Sequence, residues 1–134
     1  MAKRFEYAAS LDAEGRLLAN GEAPLTPGDP WTPEHLVLAG LMRCTLKSLG
    51  FHAERARISV RGGAAAEGVV TKRDEDGRFA FVEIEVGLDV ELDPLPEEAA
   101  LAELLDLAER DCFVGASLTQ PPRYEWRVNG ELIR

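Results

Sequence analysis

The sequence has few of the residues on which common metal and nucleotide sites depend. It contains two cysteines and two histidines, and their spacing forms no C-x-x-C or H-x-x-x-H pair. Zinc sites are usually built from such pairs, so a zinc site is not expected from four scattered residues. A G-x-S-x-G nucleophile motif and a glycine-rich phosphate loop after a strand are also absent. We therefore expect no metal and no cofactor.

Positive charge and long hydrophobic runs are scarce as well. Fifteen basic residues stand against 24 acidic ones, giving a net charge of −9 and a sequence pI of about 4.7. A chain this acidic is repelled by phosphate backbones, so no nucleic-acid partner is expected. No apolar run approaches the roughly 18 residues of a membrane span, and no apolar segment of a signal peptide follows the basic start. These absences predict a soluble, cytoplasmic protein without a membrane partner, whose cysteines are thiols rather than a structural disulfide.

Forty-six per cent of the 134 residues are hydrophobic, which suits a single domain over residues 1–134. Alternating apolar residues predict strands at 4–11, 16–20, 82–92 and 123–128, with a loop from residue 21 to Pro33. Residues 56–74 are read as a strand pair or one long bulged strand, and Asp74 to Gly77 as a hairpin turn. Because strands neighbour strands along the chain, the pattern predicts an α+β fold with an antiparallel sheet.

Two helices are predicted, each with a cysteine on an apolar face. Thr32 is a suitable N-cap for the first, which runs to Gly50 or about Glu54 and is apolar on most sides. In the second, after Pro96, the stripe Leu101, Leu104, Leu105, Ala108 and Cys112 continues one buried face. Helices with such faces pack against a sheet, so the two thiols have the opportunity to meet in the core.

Cys44 is either a small core residue or a thiol held for chemistry, and the residues alone leave both open. Free cysteine is among the most buried residue types. Two thiols whose Cα atoms come within about 7 Å can also form a disulfide, as a thiol peroxidase requires. Glu34 shares a helical stripe with Cys44 but precedes it by ten residues, roughly 15 Å along the axis, so contact needs a bridging arginine or a second copy of the helix.

The segments that carry the cysteines resemble the two signatures of the OsmC/Ohr superfamily. "PWTPEHLVLAGLMRCTLKSL" is similar to the first, in which an apolar helix begins with Pro-Glu-x-Leu and carries a cysteine ten residues after the glutamate. "LLDLAERDCFVGASL" is similar to the second, a helix ending in a cysteine before a short turn with a serine. The order of strands and helices extends the resemblance over nearly the whole chain.

The resemblance implies an OsmC-like fold, in which antiparallel sheets wrap around long central helices of an intertwined homodimer. It also implies reduction of organic hydroperoxides, at the expense of a dithiol reductant, with Cys44 as the peroxidatic and Cys112 as the resolving cysteine. Glu34 would orient an arginine over the thiolate; Arg16 is the first candidate for that arginine and Arg43 the second. Active members usually have proline directly after the second cysteine, where this chain has Phe113.

Two alternatives belong to other classes. One is a non-catalytic small-molecule binding protein of the same fold, with the cysteines as core residues. The other is a hotdog-type thioesterase, which also wraps a sheet around a long buried helix. The second cysteine-bearing helix argues against the thioesterase.

Overall fold

A computed structural model describes residues 31–134, together with residues 4, 6, 8–11, 17–19 and 22–25. The chain divides into two compact units, residues 1–36 and residues 37–134. The expectation of a single domain over the whole chain stays a prediction. The predicted turn at residues 12–15 lies outside the described residues.

The first unit contains a three-stranded antiparallel sheet of β1 (Ala9–Leu11), β2 (Leu17–Ala19) and β3 (Glu22–Leu25), in that order. β1 and β2 confirm that strands lie in the two predicted segments. β3 lies in the segment predicted as a loop, so that prediction was wrong there. Its Pro24 hides the strand signal; a proline is tolerated in an edge strand because no neighbour needs its missing N–H.

The long helix α1 (Pro33–Arg55) begins where the sequence predicted and ends at the later of the two expected points. Thr32 caps it: the His35 N–H donates to Thr32 Oγ1 at 3.3 Å and the Leu36 N–H to the Thr32 carbonyl at 3.1 Å. These bonds satisfy amide groups that have no partner within the helix.

The second unit is built on a four-stranded sheet in the order β4 (Ser59–Lys72), β5 (Phe79–Asp93), β6 (Arg123–Val128) and β7 (Glu131–Leu132). β4 is one long strand whose register with β5 shifts at Val69 and Val70, the bulge that the glycine-rich sequence allowed. β4–β5 and β6–β7 are antiparallel, as expected, but β5–β6 is parallel. The helices between β5 and β6 form a crossover that returns the chain to the N-terminal side of β5. β6 can therefore run parallel to β5.

The core lies between one face of this sheet and the helices. β5 alternates as predicted, with Glu83, Glu85, Asp89 and Glu91 exposed and a run of apolar residues buried: Ile84, Val86, Leu88, Val90 and Leu92. Against them pack α1 and α2 (Glu98–Arg110), α2 through Leu101, Leu104, Leu105 and Ala108. A short helix, α3 (Phe113–Ser117), follows α2. The cysteines lie where α1 meets the α2–α3 junction.

Candidate thiol site

Cys112 lies at a break between two helices, not within one. α2 ends at Arg110, and Cys112 has extended backbone angles (φ −75°, ψ 106°) as the N-cap of α3. Its Sγ accepts a hydrogen bond from the Gly115 N–H at 3.4 Å. The expectation that the helix continues through Cys112 was therefore wrong, although its side chain is fully buried. The apolar spacing persists through the break, so periodicity alone does not reveal where the helix ends.

A hydrogen bond links the break between α2 and α3 to α1. His52 Nε2 and Asp111 Oδ2 are 2.7 Å apart, and Arg110 contacts the same carboxylate at 2.9 and 3.0 Å. Arg110 foremost, and His52 after it, lower the pKa of Asp111. The charged carboxylate thus holds the residue before Cys112 against the C-terminal part of α1.

Cys44 is the more accessible of the two thiols. It lies in the middle of α1 and is partly buried, whereas Cys112 has no exposed surface. Burial raises the pKa of the Cys44 thiol, and the Cys112 thiol raises it further through a side-chain hydrogen bond and through its charge. Backbone hydrogen bonds from Val114 and Phe113 oppose these effects. The structure therefore brings together two thiols that are 68 positions apart in the sequence.

Two side-chain hydroxyl groups, those of Thr45 and Tyr124, lie near Cys112. Thr45 Oγ1, fully buried, lies 3.4 Å from Cys112 Sγ, and both Thr45 and Cys112 influence the pKa of the nearby Tyr124 hydroxyl. Burial, and next the charge of Cys112, raise the pKa of Tyr124 to about 12. Tyr124 is consequently protonated, and able to donate a hydrogen bond, at any physiological pH.

Of the remaining predicted site residues, the two that the structure describes, Glu34 and Arg43, show no contact with either thiol among the described residues. Glu34 is exposed in the first turn of α1, and Arg16 lies outside the described residues. Arg43 is exposed on α1. Over the described ranges, the leading influences on the Cys44 pKa are burial, backbone amides and Cys112, and none of them is a cation.

Sequence reasoning missed Thr45, Tyr124 and the His52–Asp111 pair. Thr45 is an ordinary residue of an apolar helix, and Tyr124 follows the inward alternation of β6 with Trp126 and Val128. The only available signal was a hydroxyl at an inward-facing position, which needs a hydrogen-bond partner when buried. Over the described ranges, no three His, Cys, Asp or Glu residues are grouped so as to hold a metal ion, and no helix is long and apolar enough to cross a membrane.

Comparison with known proteins identifies related folds. An OsmC-like protein of unknown function from Vibrio cholerae aligns with a TM-score of 0.76 at 16% identity, over 92% of this chain and 99% of the other. An organic hydroperoxide resistance protein OsmC from Legionella pneumophila aligns at 0.63 and 20% identity, over 95% and 98%. OhrB of Bacillus subtilis, also an organic hydroperoxide resistance protein, aligns at 0.56 and 20% identity, over 92% and 96%.

At these identities the solved structures establish the fold alone. No curated protein gives a significant match. The family model of OsmC-like proteins matches residues 26–127, a span that includes both cysteines and the segments around them. The match covers most of the chain, so the protein belongs to the OsmC-like family.

Proposed function

We propose that the protein is a thiol peroxidase that reduces organic hydroperoxides, with Cys44 as the attacking and Cys112 as the resolving cysteine. The observation that supports this proposal best is the meeting of the two thiols at the junction of α1 with the α2–α3 break. Family membership and the hydroperoxide resistance proteins among the fold relatives agree with it. The difference in exposure favours this order, since a peroxide reaches a partly exposed sulfur before a fully buried one.

The reaction has two steps on the protein. The Cys44 thiolate attacks the terminal oxygen of ROOH; the O–O bond breaks, Cys44 becomes a sulfenic acid, and the alkoxide leaves as ROH after taking a proton. The Cys112 sulfur then attacks the sulfenic sulfur, the S–O bond breaks, and the hydroxide takes up the Cys112 proton to leave as water. The resulting disulfide is returned to two thiols by an external dithiol reductant, which is itself oxidised to a disulfide.

The first step needs a thiolate, and a thiolate in partly apolar surroundings needs compensation. The amides of Phe113 and Val114 supply part of it, since their hydrogen bonds lower the pKa of Cys44. We assign the remaining part to Arg16, held in place by Glu34, as the family resemblance implies. Arg43 is the second candidate.

The surroundings favour a substrate with an apolar tail. Cys44 packs against the apolar core, in which Leu41, three residues earlier on the same side of α1, is fully buried. Phe113, beside Cys112, is 55% exposed. An alkyl or aryl hydroperoxide gains apolar contact here that hydrogen peroxide lacks. We therefore propose organic hydroperoxides rather than hydrogen peroxide as the substrates.

The proposal includes a homodimer in the cytoplasm. Phe79, Val69 and Val70, around the bulged part of the β4–β5 hairpin, are 69%, 46% and 42% exposed, and Phe51 on α1 is 57% exposed. Clustered exposed apolar residues are typical of interfaces. We expect light scattering to show a dimer at micromolar concentration; a stable species of 14.7 kDa would contradict this part of the proposal.

The test is peroxide reduction by the wild type and by two single variants. With cumene hydroperoxide and a dithiol reductant, Cys44→Ser should fall to the uncatalysed rate. Cys112→Ser should still form a sulfenic acid on Cys44, and mass spectrometry should find it over-oxidised to the sulfinic acid under excess peroxide. Ser117→Ala, which removes an exposed hydroxyl of α3, is the control and should react like the wild type.

Equal oxidation of the remaining cysteine in the two single variants would refute the assignment of roles. Wild-type protein that leaves the hydroperoxide unconsumed while keeping both thiols would refute the peroxidase itself. A small-molecule binding protein of the same fold would then take its place.

A further inference from the structure

The hydroxyl groups around Cys112 are not used by the mechanism above, although they are buried beside a reacting atom. We propose that Tyr124 and Thr45 are functional residues of the resolving step: Thr45 orients the Cys112 thiol, and Tyr124 donates a hydrogen bond to its sulfur as that sulfur becomes the nucleophile. This inference rests on the proposed function and deepens it.

The geometry around Thr45 fixes the direction of its hydrogen bonds. The Thr45 hydroxyl has one proton, and it donates that proton to the Leu41 carbonyl at 2.9 Å. The 3.4 Å contact between Thr45 Oγ1 and Cys112 Sγ must then use the thiol proton, with Cys112 as the donor. Thr45 therefore holds the S–H of Cys112 in one direction while the thiol is protonated.

Once Cys112 loses its proton, Thr45 can donate to the sulfur only by abandoning Leu41. The donors that remain close are the Gly115 N–H, at 3.4 Å from Sγ, and the Tyr124 hydroxyl, which lies near Gly115 and whose pKa the Cys112 thiol influences. Hydrogen bonds to a charged acceptor are stronger than neutral ones, so both favour the attacking form of the sulfur. Of the two, only the Tyr124 hydroxyl can be removed by changing a side chain.

Gly115 leaves the space that the Tyr124 hydroxyl occupies. A Cβ at residue 115 would come 2.7 Å from Tyr124 Oη and 3.4 Å from Cys112 Sγ. The first distance is a clash and the end of a tyrosine ring cannot move by itself, so alanine here would displace the hydroxyl. The same distances place Oη and Sγ both on the side of Gly115 where its Cβ would lie.

The resolving step balances within this arrangement. The S–S bond forms as the S–O bond of the Cys44 sulfenic acid breaks, and the departing hydroxide takes the proton that Cys112 gives up. Cys112 is fully buried, so bulk water does not stabilise the negative charge that builds on its sulfur. Tyr124 and the Gly115 amide take over that role.

The titratable groups around Cys112 are few within the described ranges. Cys44 faces it from α1 and Tyr124 from β6. Asp111, with its partner His52, precedes it in the chain, and Glu109 acts on Tyr124 by its charge. A change in the pH profile that follows loss of the Tyr124 hydroxyl is thus attributable to Cys112 or its disulfide partner.

The experiment measures the two thiol reactions separately and without peroxide. The reduced protein is mixed with one equivalent of an aromatic disulfide that releases a coloured thiolate. The first release reports attack by Cys44, and the second reports attack by Cys112 on the mixed disulfide. Tyr124→Phe should slow the second phase about tenfold or more at neutral pH and move its pH profile to higher pH, with the first phase unchanged within about twofold.

Thr45→Val should slow the second phase several-fold, Thr45→Ser should restore it, and the exposed Thr71→Val should have no effect.

Gly115→Ala should reproduce the effect of Tyr124→Phe with the tyrosine still present, which guards against a folding defect in a single variant. A second phase that keeps the wild-type rate and pH profile in Tyr124→Phe would overturn the proposal. Equal slowing of both phases at every pH would overturn it too, because a general loss of structure predicts that pattern. Wild-type protein that completes both phases but leaves cumene hydroperoxide intact would refute the peroxidase proposal and not this one.

Discussion

The two cysteines are the same residue in two contrasting settings. Cys44 lies within a regular helix and is partly exposed, and amide groups of another segment contact its sulfur. Cys112 lies where the backbone leaves a helix, is fully buried, and has hydroxyl groups around it. The contrast shows that a thiol's chemical environment depends less on its own element than on what the neighbouring elements place against it. An accessible sulfur with amide donors suits the first attack, and a buried sulfur held in one orientation suits the second.

The largest expected effect comes from loosening the core behind Cys112. Leu105 has no exposed surface, and Leu105→Ala should lower the free energy of unfolding by about 3 kcal/mol through lost burial and a cavity. Leu107→Ala, on a partly exposed position of the same helix, should cost about 1 kcal/mol. Urea denaturation followed by circular dichroism measures both. Similar losses in the two variants would mean that the buried face of α2 is not the one described.

The second effect is the difference in reactivity between the thiols in the folded protein. Alkylation by iodoacetamide at neutral pH should modify Cys44 roughly a hundredfold faster than Cys112, since reaching Cys112 requires an opening of about 3 kcal/mol. Mass spectrometry after timed quenching gives both rates, with the protein unfolded in urea as the control in which they converge. Comparable rates in the folded protein would remove the contrast between the two settings.

The third effect tests whether a cation acts on Cys44. Because its pKa is raised, the thiolate fraction and the alkylation rate of Cys44 should climb about tenfold per pH unit above neutral pH, until the pKa is passed. Arg16→Ala should reduce the rate at neutral pH by about tenfold, the effect of one nearby charge, and Glu34→Gln should do so more weakly. Arg43→Ala tests the second candidate in the same way. Wild-type behaviour in all three variants would exclude an arginine-activated thiolate.

The smallest effect concerns the contacts of Asp111, which hold the break between α2 and α3 against α1. A carboxyl whose pKa is lowered by folding contributes stability above its unfolded value, near 3.8 for Asp111, and that stability is lost as pH falls through the lower folded value. Asp111→Asn should therefore make Tm less dependent on pH below about pH 4, changing it by about a degree or two. Glu103→Gln, exposed on α2, is the control. An unchanged pH dependence in Asp111→Asn would show that the contacts of Arg110 and His52 add nothing to stability.

Much of the fold was predictable because it follows from local periodicity. The period-two pattern of residues 82–92 fixed the buried face of β5, and the apolar helix capped by Thr32 was predicted nearly to its last turn. The parallel pairing of β5 with β6 was not, since a strand's own residues do not say which neighbour it pairs with or in which direction. The helix break before Cys112 was missed because the apolar spacing continues through residues that are no longer helical.

The sequence by itself determined that two thiols lie on inward-facing positions 68 residues apart, each in a segment that resembles a family signature. Only the tertiary structure decided that they come together, that Cys44 is the accessible one, and that Thr45 contacts the Cys112 sulfur near the Tyr124 hydroxyl. The physical reason is the distance along the chain over which each kind of interaction acts. Burial and helix or strand spacing arise from neighbours along the chain, whereas a hydrogen bond between Thr45 on α1 and Cys112, 67 positions later, exists only after α1, the α2–α3 break and β6 have packed together.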